Sequence, residues 1–423
     1  MPKSKYRALV GAATILMTLI GASHVSISSV RAELPPAAKC NGGAVSLDDR
    51  IAACTAVIEA ATAMMPHVIV AHFQRARLYL EKGEADRGIA DYSRILEHDP
   101  NNMRARLGRA SAYSGKRDLD AAFADYAKAV ELNPKDVYVY LGRASAYLAK
   151  GDIDGAIADY GRVLQLHPEN FTAFVNRAYA YTLKDEPDRA TADCNRAIAI
   201  SPEHHIGRYC RGQAHMAKGN IDLALAEFNQ AIQLNPRDTR SYAFRANVLG
   251  ARGDLEQALN SIKQAIELAP NDFRPHRWKG FIHFQAGMLS EAFDDLGRAY
   301  ELNQKDPYTQ LWLDLVRQKS GQPSQLNEIA RQLDMSRWPA PIVRLFLGEM
   351  EPEAVLAAAD DANARKKREQ VCEVNFYSGE LALLRGAREE AKRLFQFAAA
   401  ECPKDFIEWQ AANAELKAIG TAP

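Results

Sequence analysis

Three observations in the amino-acid sequence predict an all-α protein, a solenoid of antiparallel helix pairs. The heptapeptide LGRASAY stands at residues 107–113 and returns unchanged at 141–147, 34 positions later. Pro100, Pro134, Pro168, Pro202, Pro236 and Pro270 keep the same interval. When the proline is counted as position 32 of a unit, position 8 is small in every unit, and so is position 20. A building block repeated at a fixed distance must present one face to its neighbour each time, which is the signature of a stacked array.

The elements follow in chain order. Residues 1–32 read as a secretory signal. Lys3, Lys5 and Arg7 precede an apolar run over residues 8–22, and Val30-Arg31-Ala32 offers a cleavage site. The run is short for a spanning helix, which needs about 20 residues. Membrane association is therefore expected only if this segment stays uncleaved. Residues 33–68 read as an N-terminal cap, in which residues 48–60 form an unpaired helix.

Residues 69–306 hold seven units, starting at Ile69, Met103, Val137, Phe171, His205, Thr239 and Phe273. Apolar or small residues at positions 4, 8 and 11 make one helical stripe, and those at 20, 24 and 27 make another. The small residues, Ala76 and Gly88 in the first unit and Ala110 and Ala122 in the second, let the two helix axes approach closely. Gly83, Gly151, Gly219, Gly253 and Gly287 mark the turn between the helices, and the proline ends the second helix because it has no N–H for the ladder. Position 7 is Arg75, Arg109, Arg143, Arg177, Arg211, Arg245 and Lys279, and position 23 is acidic in all units but the sixth. The two positions flank packed ones, so they predict a ladder of half-buried ion pairs that fixes registry.

This pattern resembles the tetratricopeptide repeat (TPR), a 34-residue helix–turn–helix. The resemblance implies a right-handed superhelix whose first helices line a concave side.

Beyond the seven units the pattern blurs. Residues 307–371 read as two degenerate helix pairs, over 308–320 with 323–333 and over 338–347 with 352–364. Residues 372–423 read as a closing unit with a capping helix at 406–419. The six cysteines fall as three close pairs, which in an exported protein suggests local disulfides. Cys40–Cys54 would pin the cap, and Cys372–Cys402 would join the ends of two antiparallel helices. Cys194 and Cys210 are neighbours in adjacent units, but their differing depths along the helices weigh against that bridge.

The chemistry of a site is hard to find. Lys+Arg and Asp+Glu both number 53, which argues against a nucleic-acid partner. No P-loop, dinucleotide fingerprint, HExxH or GxSxG occurs. His204-His205 falls at a turn between units, where polar residues are expected, and the basic run at residues 366–368 reads as a solvated helix face. No enzyme, metal or cofactor is predicted; an enzyme with an unrecognised site is the weaker alternative. A protein or peptide partner is predicted, held in the groove by positions 5, 9 and 12. The candidates are Phe73, Arg77, Leu107, Leu141, Tyr179, Tyr209, Gln213, Met216, Asn247, Arg274, Arg277, Phe281 and Phe284. Apolar anchors mixed with polar groups suit an extended peptide or a partner helix.

The stretches RWPAPIVRLFLGEMEPEAVL (residues 337–356) and VNFYSGELALLRGAREEAKRLFQFAAAECPKDFIEW (374–409) resemble the end of NlpI-type TPR proteins. Those are envelope adaptors that hold peptidoglycan hydrolases and a processing protease. This chain differs in lacking a lipoprotein cysteine and in its longer array. The resemblance implies a periplasmic adaptor in a Gram-negative envelope. A general peptide-binding module of another envelope complex is the alternative.

Overall fold

The computed structural model describes residues 36–42 and 45–420. The expected signal segment lies outside the described residues. The chain divides into two compact units, one ending at Arg75 and the other beginning at Ala76.

In the first unit, α1 (Pro36–Asn41) precedes α2 (Leu47–Glu59), and a Cys40–Cys54 disulfide joins them. The helix expected to stand unpaired thus has a six-residue companion. Ser46 caps α2 by accepting the Asp49 N–H through its hydroxyl. Helix α3 (Pro66–Glu81) spans the division between the units.

The second unit continues with α4 (Ala85–His98) and then six helix pairs. These are α5 (Met103–Gly115) with α6 (Leu119–Leu132), α7 (Val137–Lys150) with α8 (Ile153–Leu166), and α9 (Phe171–Leu183) with α10 (Pro187–Ile200). They continue as α11 (His205–Ala217) with α12 (Ile221–Leu234), α13 (Thr239–Arg252) with α14 (Leu255–Leu268), and α15 (Phe273–Gln285) with α16 (Leu289–Leu302). No strand occurs among the described residues.

Each first helix starts where the proline count puts a unit, and the reason is local. The residue before it is Asn102, Asp136, Asn170, His204, Asp238 or Asp272, and each side chain accepts a backbone N–H of the first turn. His204 does this through ring Nδ1, which accounts for half of the histidine doublet. The turn inside each pair needs one residue in the left-handed region. Glycine supplies it at Gly151, Gly219, Gly253 and Gly287, whereas Arg117 (φ 63°) and Asp185 (φ 65°) are forced into it. Arg117→Gly is therefore expected to stabilise the protein by about 1 kcal/mol, read as a raised denaturation midpoint.

Packing follows from the small positions. Ala110, Ala122, Ala144, Ala156, Ala246 and Ala258 are fully buried between paired helices. The large position 24 of one unit fills the space under the next. A Cβ added to Gly108 would stand 2.5 Å from the Tyr92 ring, and one added to Gly142 would stand 2.8 Å from the Tyr126 hydroxyl. The ion-pair ladder is present. Arg109 Nε donates to Asp125 at 2.8 Å, Arg143 to Asp159 at 2.7 Å and Arg177 to Asp193 at 2.7 Å, while Arg211 pairs with Glu227 and Lys279 with Asp295. Arg245 donates to Ser261 where the acid is missing. Arg109 and Arg211 also donate to Ser93 and Asn195 of the preceding unit, so each guanidinium ties three helices. Asp159→Ala would leave Arg143 half-buried without its partner; a loss of about 2 kcal/mol in chemical denaturation is the expected result.

The array ends differently from the reading above. Helix α17 (Pro307–Lys319) keeps the repeat, but its expected partner is reduced to α18 (Leu326–Ile329) and a 3₁₀ turn. The buried Asp314 carboxylate explains this, because it accepts the Gln325 N–H (2.7 Å) and the Ser324 hydroxyl (2.8 Å), holding that strand of chain against α17. Short helices α19 (Ala340–Phe346) and α20 (Pro352–Ala358) follow. Helix α21 (Ala364–Leu384) starts eight residues earlier than the closing unit was expected to, at an Asn363 cap. It pairs with α22 (Arg388–Glu401) through the Cys372–Cys402 disulfide, and α23 (Ile407–Ala418) comes last. Cys194 and Cys210 are also bonded, despite the depth argument. Both side chains are buried in one cluster with Ala190 and Ala214, whose small size lets α10 and α11 close the gap.

Candidate binding face and pocket

The first helices form the inner face of the array in the second unit. Position 9 reports how open that face is. Ser111, Ser145 and Tyr179 are exposed there, Tyr179 by 47%. Gln213 is half-buried, and Asn247 and Phe281 are buried. The change comes from the chain itself, because its C-terminal helices return across the inner face. Arg368 of α21 pairs with Asp185 at 2.5 Å, and Asn363 donates to the Leu183 carbonyl. Gln410 of α23 donates to the Asn247 side chain at 2.5 Å and accepts from the Gln285 side-chain amide at 3.0 Å.

The expected groove residues therefore separate. Leu107, Leu141, Tyr179, Tyr209 and Gln213 lie along the open part, where Tyr179, Tyr209 and Gln213 share a small pocket with Val175, Ile206 and Arg240. Burial pushes the Tyr209 hydroxyl well above the usual tyrosine range, so it stays a neutral donor. Arg77 is exposed on α3, and Phe73 belongs to the first unit, where it is half-buried. The far end departs from expectation. Phe281 and Phe284 are core residues packed on Trp312, with ring centroids at 4.8 and 5.0 Å. Asn247 is hydrogen-bonded to α23, and the exposed Arg274 pairs with Asp272 at 2.6 Å.

Where α23 meets the array, a second pocket of about 270 Å³ remains. Met216, Asn247, Arg277 and Phe281, all expected in the groove, line it. Sequence reasoning missed the rest of the lining, Trp278, Tyr308, Trp312, Glu373, Phe406 and Glu408 among them. A signal was available: Glu369, Glu373, Tyr377 and Glu380 fall on one face of α21, beside the apolar Cys372, Phe376 and Gly379. Carboxyls that border a core stripe this closely must be buried with partners or neutralised.

Glu373 is buried and accepts hydrogen bonds from Trp338 Nε1 (2.7 Å) and the Tyr308 hydroxyl (3.1 Å). Burial pushes its carboxyl well above the usual range, and the neighbouring Glu408 adds to the push. Glu408 sits 1% exposed and is pushed up to about 7, again mainly by burial. Arg277, the basic wall of the pocket, donates to Asp306 at 2.7 Å. His283 is buried and its ring Nδ1 bonds Asp295 at 2.7 Å. Among the described residues no group of three or more His, Cys, Asp or Glu could hold a metal ion. No helix among them is long and apolar enough to cross a membrane.

Comparison with known proteins agrees with this architecture. Models of the tetratricopeptide repeat match residues 73–137, 141–205 and 245–308, and a further one matches 206–238; together these take in more than half of the chain. No curated protein matches the sequence. Among solved structures, a tetratricopeptide repeat protein from Parabacteroides merdae is 19% identical with a TM-score of 0.51, covering 59% of this chain and 98% of its own. PilW, a type IV pilus biogenesis factor, is 18% identical with a TM-score of 0.43, covering 49% and 96%. TTC0263 from Thermus thermophilus is 20% identical with a TM-score of 0.38, covering 43% and 98%. With its repeats, its helix pairs and family models matching more than half of its length, the chain belongs to the tetratricopeptide repeat family.

Proposed function

We propose that the protein is an exported, non-enzymatic scaffold that holds a partner peptide or helix against the inner face of α5, α7, α9 and α11. The exposed position-9 side chains on that face carry the reading, because an unfilled row of Ser111, Ser145 and Tyr179 beside half-buried leucines gives a partner both hydrogen bonds and an apolar seat. Three disulfides point to an oxidising compartment, and in this reading residues 1–32 direct export to a Gram-negative periplasm and are removed. The C-terminal likeness to NlpI-type proteins favours an adaptor for peptidoglycan hydrolases or proteases.

A photo-crosslinking amino acid placed at Tyr179 tests this in cells. Adducts with cell-wall hydrolases or envelope proteases are expected, with none from the same probe at Leu223, which is exposed on the second helix α12. Equal labelling from both sites would sink the inner-face reading. Adducts at Tyr179 with envelope proteins of neither class would instead favour the general peptide-binding module.

A further inference from the structure

The pocket closed by α23 has more negative charge than its own residues neutralise. Asp405 pairs with Arg365 (2.5 Å), and Arg277 pairs with Asp306 while its buried Nε has no hydrogen-bond partner among the described residues. Glu373 receives hydrogen bonds from neutral donors. Glu408 Oε2 is buried with no hydrogen-bond partner among the described residues, and so is Trp312 Nε1. Around these carboxyls stand the rings of Phe244, Trp278, Phe281, Tyr308, Trp312 and Phe406. Ring faces attract cations, and more strongly where water is excluded. The acceptor, the rings and the largely apolar walls thus call for one kind of visitor.

We propose that this pocket receives an organic cation on an apolar stem, the chemistry of a lysine side chain offered by a partner peptide. The stem would lie along the rings and the ammonium would pair with Glu408 and Glu373. Trp312 Nε1 is left to donate to a carbonyl of the ligand. A pocket of about 270 Å³ suits one long side chain and excludes a helix. The peptide source rests on the scaffold reading above; recognition of the cation does not.

Binding is linked to a proton. The groups that face Glu408 are Arg277 on α15, Tyr308 on α17, Glu369, Glu373 and Tyr377 on α21, and Asp405 before α23. The carboxyls therefore hold a proton between them when no external cation is present. Glu408 is pushed up to about 7, so below that pH the ligand must displace its proton, and above it the carboxylate is ready. One proton released with this titration gives an affinity that rises about tenfold from pH 6 to pH 8.

Calorimetry on the full chain provides the test, with Nα-acetyl-lysine methylamide and its uncharged counterpart Nα-acetyl-norleucine methylamide as probes. Saturable binding of the lysine compound is expected, at least about tenfold tighter than norleucine, with the stated pH trend. Glu408→Gln and Glu373→Gln keep the shape and remove a buried charge. Each should weaken binding at pH 8 by about tenfold or more while leaving the thermal midpoint unchanged or raised. Norleucine binding as tightly as lysine, no binding of lysine, or full binding by Glu408→Gln in a folded protein would each overturn the proposal. n-Pentylamine separates the sources: weaker binding than the lysine compound supports a peptide, and equal or tighter binding overturns the peptidyl source. Loss of this inference leaves the Tyr179 crosslinking result standing on its own.

Discussion

Lys319→Met is expected to destabilise the protein by about 3–5 kcal/mol, because it strips the cation from a buried triad. Lys319 Nζ donates to Glu380 at 2.8 Å and to Glu415 at 2.7 Å, joining α17, α21 and α23. Glu380 is fully buried, and its burial pushes the carboxyl up to about 8 even with the lysine beside it. Without Lys319 the folded chain must keep Glu380 protonated or hold an uncompensated charge. The sign of the pH effect follows. Below the usual glutamate value of 4.5 both folded and unfolded chains carry the proton, so variant and parent approach each other. Up to about pH 8 the folded parent and the folded variant both keep the Glu380 proton; above it the parent's carboxyl ionises beside Lys319 and the variant's does not, so the deficit grows. Guanidinium denaturation at pH 7 and pH 9 measures this, and a deficit that shrinks toward high pH would contradict it. Replacing Lys319, Glu380 and Glu415 together by apolar residues should recover most of the loss, since a buried ionic cluster is weak evidence of net stabilisation.

Trp312→Ala is expected to cost about 3–5 kcal/mol as well, through a cavity rather than a charge. The ring is 1% exposed and stands within 4.8 to 6.1 Å of Phe281, Phe284, Phe376 and Tyr377. Those residues come from α15 and α21, so the indole on α17 is the piece that joins the array to the returning helices. Near-UV circular dichroism and the denaturation midpoint should fall together. Trp312→Phe should lose about half as much, because it leaves a smaller void. A midpoint unchanged in the alanine variant would mean that the returning helices dock by other contacts.

These two sites also mark where reading the sequence stops working. The pairs were legible because everything that sets them is local: a capping side chain, a left-handed turn and a proline within one unit. The return of α21 to α23 is not local. Asn247 and Gln410 are 163 residues apart, and Arg368 and Asp185 are 183 apart. Nothing in the repeat pattern encodes contacts at such distances. Gly250 illustrates the loss. By count it is a groove position with no side chain to offer, yet a Cβ there would come within 2.9 Å of Gln410 Oε1. The gap is room for α23. The basic run on α21 is exposed, as expected, but the count could not foresee that Arg368 pairs with Asp185 and Lys367 with Asp360. At Cys194 and Cys210 the helical-depth count ignored that alanine neighbours let the two backbones close in.

Open stacks of helix pairs are elastic, since each pair touches only its neighbours and small rotations add along the line. The clasp from Asp185 to Arg368 and from Asn247 to Gln410 removes that freedom over α9 to α15, turning this stretch into a stiff frame. Compliance is left to the pairs ahead of α9, so a guest seated there can be gripped by bending that half while the other half keeps its form.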